Sequence, residues 1–77
     1  MKNSLEKILT SVGEQIKKVR TEQHLSQADL AARCGMEKAT ISRIEGGRVN
    51  VTFSTVLRVC KGLNIEANDL IRKALEP

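Results

Sequence analysis

Residues Glu37 to Glu45, EKATISRIE, hold side chains that can recognise the edge of a nucleic-acid base. The forked guanidinium of Arg43 matches O6 and N7 of guanine, and the Lys38 ammonium can donate to the same edge. The Ala39 methyl suits the methyl of thymine, Ser42 offers a hydroxyl, and Glu37 can accept from N4 of cytosine, although its carboxylate repels a nearby phosphate. Ile41 and Ile44 decide which of these face outward. Burying a branched apolar side chain is worth ~1.5–3 kcal/mol. The two isoleucines, three apart on one helical face, therefore turn inward and leave Lys38, Ala39, Ser42 and Arg43 on the outer edge. On residue types alone, the plainer reading of Lys38 and Arg43 is a solvated pair on a surface helix.

Other chemistry finds no footing. The sequence has one histidine, His24, and two cysteines, Cys34 and Cys60. There is no glycine-rich phosphate loop, no metal-ligand spacing and no clustered nucleophile and base. No catalytic residue, metal site or cofactor is expected. Both cysteines fall on apolar helical stripes and read as buried free thiols rather than a disulfide framework. No signal peptide or membrane-length apolar run is visible, so a cytoplasmic protein with no membrane partner is expected.

The elements that must position the outer edge can be read in order. Ser26 is a good N-cap with Asp29 as its reciprocal partner, and Leu25 can staple onto Leu30. Cys34-Gly35 stops that helix, because glycine accepts the left-handed conformation. The second helix, Glu37 to Glu45, is closed by Gly46-Gly47. Two short helices joined by a glycine turn follow the helix-turn-helix plan.

Around this pair, residues 1–10 (MKNSLEKILT) read as an N-terminal arm or an extra turn of helix, ahead of a domain spanning 11–75. Ser11 with Glu14 reads as a capping box for an amphipathic helix carrying Val12, Ile16 and Val19 and ending near Gln23-His24. After the loop Arg48 to Val51, Thr52 caps a fourth helix with Phe53, Val56, Leu57, Val59 and Cys60 expected in the core. Asn64 takes a left-handed turn and a fifth helix starts near Glu66. The staple spacing recurs at Leu25/Leu30, Met36/Ile41, Val51/Val56 and Ile65/Leu70. No stretch alternates as a strand does. The expected class is all-α, a compact bundle of about five helices.

The 77 residues make one small domain, which buries only about 60% of its unfolded surface. No separate small-molecule-sensing module is expected. Thirteen basic and nine acidic residues give a net charge of +4. That balance suits a polyanion, or simply solubility. Phe53 is the single aromatic residue, which argues against a single-strand binder built on stacking platforms.

The stretch IKKVRTEQHLSQADLAARCGMEKATISRIEGG resembles the DNA-binding domain of the Cro/repressor (XRE-type) helix-turn-helix family. The matching residues are Arg20, Leu25, Ser26-Gln27, Leu30-Ala31, Gly35, Ile41-Ser42, Ile44-Glu45 and Gly47. With VLRVCKGLNIEANDL the resemblance covers roughly residues 11–72. It implies a lambda-repressor-like fold and a stand-alone regulator of the kind seen in restriction–modification controller proteins and phage repressors. It implies base contacts at Lys38, Ala39 and Arg43 in the major groove, with Ser42 and Glu37 beside them. It implies phosphate binding at Gln27, an internal salt bridge between Arg20 and Glu45, and a homodimer on a palindromic operator. Gly46, Gly47 and Arg48 are candidates for backbone contact across the groove, as are Lys17 and Arg33. His24 stands where the family has glycine, and it is read as a turn residue with positive φ. Glu37 departs from the family's usual Ser or Thr.

The dimer needs apolar residues left over from the core. Ile71 and Leu75 are the expected set, with Leu5, Ile8 and Leu9 as the alternative. An antitoxin-like protein-binding module that also touches DNA is the competing function.

Overall fold

The structure is a computed structural model that describes residues 4–76. It holds five helices in the order α1 Ser4–Glu22, α2 Gln27–Cys34, α3 Lys38–Glu45, α4 Phe53–Leu63 and α5 Ala67–Leu75. No strand occurs among the described residues, as the sequence predicts. Of the stretch 1–10, residues 1–3 lie outside the described residues.

One expectation fails at the first helix. Ser11 and Glu14 do not cap it, because α1 runs unbroken from Ser4 to Glu22. Leu9, Val12, Ile16 and Val19 continue one stripe straight through Ser11, so the apolar pattern never restarts there. Leu9 and Val19 are half-buried, while Val12 and Ile16 are buried. The turn that follows the last residue of α1, Glu22, closes at His24, whose φ of 60° is the left-handed conformation expected of it. Gln23 Nε2 then donates to the Leu63 carbonyl at 2.7 Å and ties this end of α1 to the end of α4.

The remaining helix starts follow the sequence. Ser26 Oγ accepts from the Asp29 amide at 3.0 Å, and Asp29 Oδ2 accepts from the Ser26 amide at 2.9 Å. These bonds, the backbone one first, hold the Asp29 carboxyl below its usual range. Thr52 Oγ1 accepts from the Thr55 amide at 3.2 Å. α3 and α5 begin at Glu37 and Glu66 with no side-chain cap. Of the four staple pairs, Leu30, Ile41, Val56 and Leu70 are buried in the core, and Leu25, Met36, Val51 and Ile65 are partly buried and packed against that core. Left-handed residues end α2 and α4, at Gly35 (φ 65°) and Asn64 (φ 57°).

The core is formed by all five helices, with Ile16, Leu30, Ile41, Val59 and Leu63 fully buried. Cys34 and Cys60 are buried free thiols within it. Burial pushes both thiols above the ordinary cysteine range, which keeps them protonated. Two core expectations on α4 are wrong: Phe53 is 65% exposed and Leu57 44% exposed. The inward stripe of α4 is Val56, Val59, Cys60 and Leu63. Phe53 and Leu57, four apart, form a separate row beside it.

Candidate nucleic-acid interface

α3 is held by its inner edge and by its C-terminus. Ile41 and Ile44 are buried. Glu45, the last helical residue, is buried with Arg20 of α1. Arg20 Nε donates to Glu45 Oε2 at 2.6 Å and Arg20 Nη2 to Glu45 Oε1 at 3.0 Å, a two-point carboxylate clamp. Arg20 Nη1 donates to the Leu25 carbonyl at 2.7 Å. The hydrogen bond to Glu45 raises the Arg20 pKa above its already high ordinary value, so the guanidinium stays charged at any physiological pH.

With those points fixed, the opposite edge is open. Glu37, Lys38, Ala39 and Arg43 are exposed and Ser42 is half-buried. Neither Lys38 nor Arg43 forms an ion pair with a described residue. Among the described residues, no other part of the chain covers this edge. Four chemically distinct side chains therefore project from one short, rigidly seated helix.

Gln27 stands at the first turn of α2, half-buried, and its Nε2 donates to Glu45 Oε1 at 3.1 Å. One amide hydrogen is thereby used inside the protein, and the second remains. The loop after α3 brings Gly46, Gly47 and Arg48 together. The Arg48 amide donates to the Arg43 carbonyl at 3.1 Å, which folds the loop back onto the helix. Gly47 lies against Thr10 of α1. Lys17 is exposed on α1. Arg33 is turned elsewhere: its Nη1 lies 3.4 Å from the Gly62 carbonyl. With Arg58 and Lys61 it lines a cavity of about 500 Å³ between the ends of α2 and α4.

Three features of the site escape a reading by residue type. The hydroxyls of Thr52, Ser54 and Thr55 are linked at 3.0–3.1 Å at the start of α4, directly after the loop. Their only sequence signal is the run TFST. Arg58 reaches from α4 to the turn between α2 and α3. Gly13, in the middle of α1, lies against the Ile44 and Glu45 carbonyls of α3.

A family model described as helix-turn-helix, of the HTH_3 (XRE) type, matches residues 16–70. The chain belongs to the helix-turn-helix family. Within it, the chain is 30% identical over 60 residues to the control protein C.BamHI of Bacillus amyloliquefaciens, covering 77% of this chain and 74% of that one. The restriction–modification controller protein C.AhdI of Aeromonas hydrophila superposes with a TM-score of 0.78 at 31% identity, covering 80% of this chain and 94% of that one. The controller protein C.Esp1396I, solved as a tetramer with its natural 35 base-pair operator, superposes with a TM-score of 0.79 at 32% identity, covering 90% and 96%. This helix-turn-helix chain thus shares its fold with restriction–modification controller proteins, one of them solved on its own operator. No helix among its described residues is long and apolar enough to cross a membrane.

Proposed function

We propose that this chain is a transcriptional regulator that binds double-stranded DNA sequence-specifically, as a homodimer on a palindromic operator. The observation that carries the proposal is the open outer edge of α3, with Lys38, Ala39 and Arg43 exposed while Ile41, Ile44 and Glu45 are buried. In the major groove, Arg43 pairs with guanine, Lys38 donates to a neighbouring acceptor and Ala39 meets a thymine methyl. Glu37 selects cytosine, whose N4 donates to a carboxylate, and Ser42 contacts an adjacent base edge. The helix N-terminus at Gln27 and the loop Gly46, Gly47 and Arg48 hold phosphates and fix the register. Lys17 adds a peripheral charge. Arg33 is left out of this surface, because its guanidinium reaches toward α4. No cofactor or catalytic step enters the scheme.

Selection of binding sites from random duplex DNA tests the proposal. A palindromic consensus with half-sites about one helical turn apart is expected. Arg43→Ala should cost ~1–3 kcal/mol on the selected site and relax one base position. Gln27→Ala should weaken selected and unrelated duplexes alike. An even loss on every duplex from Arg43→Ala would remove its base-reading role.

The dimer surface is assigned to α4 and α5. Phe53 and Leu57 are exposed and, with Ile65, line a cleft of about 490 Å³. Ile71 is already half-buried against its own core, whereas Leu75 is 57% exposed and extends the apolar surface of α5. Sedimentation at micromolar concentration should find a dimer, and Phe53→Glu should give a folded monomer with much weaker operator binding. A dimer that survives Phe53→Glu but not Leu75→Glu would move the interface to the C-terminus.

A further inference from the structure

The turn between α2 and α3 is braced from outside the helix-turn-helix. α2 ends at Cys34, and Gly35 follows in the left-handed conformation at φ 65°. The carbonyls at a helix end lack partners within the helix. Those of Cys34 and Gly35 both accept from one nitrogen, Arg58 Nη2, at 2.8 Å and 3.1 Å. Arg58 stands on α4 next to Val59 and Cys60, which are buried. Its guanidinium therefore projects from a firmly seated helix. The cation also sits at the negative end of the α2 dipole, where positive charge is favoured. Gly35 is only three residues before Lys38, so the position of this turn fixes where the first turn of α3 begins.

Arg33 and Lys61 line the same cavity, but it is not an anion site. α2 and α4 both end there, and the cations answer the partial negative charge of two helix C-termini. Arg33 and Arg58 are directed at carbonyl oxygens.

We propose that Arg58 is a positioning residue for base recognition: by holding the Cys34 and Gly35 carbonyls, it sets the angle at which Glu37 and Lys38 enter the groove. The proposal rests on the reading of α3 as the DNA-reading helix. Arg58 itself touches no base. Its loss should therefore blur discrimination without weakening DNA binding in general.

The experiment compares the wild type with Arg58→Met, which keeps the aliphatic stem, and Arg58→Lys, which keeps a donor and the charge. Each is titrated with the selected operator, with operators carrying single base-pair changes, and with an unrelated duplex, at one salt concentration. Arg58→Met should lose about tenfold in discrimination at the base pairs nearest the start of α3. Its affinity for the unrelated duplex should stay within about twofold of wild type. Arg58→Lys should recover part of the discrimination. A uniform loss on every duplex would make Arg58 a phosphate contact and overturn the proposal, as would unchanged discrimination. If Arg58→Met does not fold, Arg58→Lys decides: full wild-type discrimination at every base pair overturns the brace, and a selective loss near Glu37 and Lys38 supports it. A wild type with no sequence preference would instead remove the DNA-reading function itself.

Discussion

Glu45→Ala is expected to lower stability by about 3–5 kcal/mol, because it strands a charged Arg20 in the interior. The side chains of Arg20 and Glu45 are only 9% and 3% exposed, so solvent does little to screen the pair. Arg20 cannot relieve the loss by releasing its proton, since its pKa lies above the range of any stability measurement. A domain of this size has a total stability of order 5–15 kcal/mol, so the variant is marginal or unfolded. Each kcal/mol shifts the melting midpoint of so small a domain by about 4–8 °C, and a drop of tens of degrees is expected in a thermal melt. The double variant Arg20→Met/Glu45→Leu should be markedly more stable than either single change, because it removes both charges. A Glu45→Ala midpoint within a few degrees of wild type would show that the pair contributes little. Gln27 would also lose its partner, so DNA binding should fall further than the folded fraction alone requires.

Gly13→Ala is the second large effect, and it runs against helix propensity. Alanine in a helix interior is normally favoured over glycine by about 1 kcal/mol. Here the added methyl would overlap the Ile44 carbonyl oxygen and stand 2.7 Å from that of Glu45. Both are backbone atoms, and α3 can relieve the overlap only by moving as a body. Overpacking of this kind costs typically about 1–3 kcal/mol, occasionally more. A net loss of up to roughly 2 kcal/mol is expected in urea unfolding once the propensity gain of about 1 kcal/mol is deducted. The shift falls on α3, the helix proposed to read DNA, so binding to the selected duplex should drop even where the variant is fully folded. A variant as stable as wild type would mean that α1 and α3 are less closely packed than the structure has them.

Much of this arrangement was legible in the sequence, because its signals are local. Ser26 with Asp29, Thr52, Gly35, His24 and Asn64 act within a few residues of themselves, and the four staples act over five. The orientation of α3 followed from Ile41 and Ile44 alone. What escaped detection depends on distant partners. Nothing around Gly13 or Arg58 says that a carbonyl from another helix will lie beside it. Ser11 with Glu14 has the pattern of a cap, yet the apolar stripe on either side overrides it. Phe53 and Leu57 are apolar on a helix whose core stripe is already filled by Val56, Val59, Cys60 and Leu63, and only tertiary packing decides which row is left outside. Arg33 has the right charge for a phosphate, but its place near the end of α2 directs it to α4.

The staples also govern how quickly the protein is made ready for use. A chain whose contacts are mostly close in sequence reaches its native state in microseconds to milliseconds. Each of the last four helices can choose its starting point before the chain has collapsed. The joining of Arg20 to Glu45, across 25 residues, and of Gln23 to Leu63, across 40, then closes the ring. A newly synthesised copy should therefore be folded almost as soon as it leaves the ribosome, which leaves the proposed pairing of two copies, rather than folding, as the slow step.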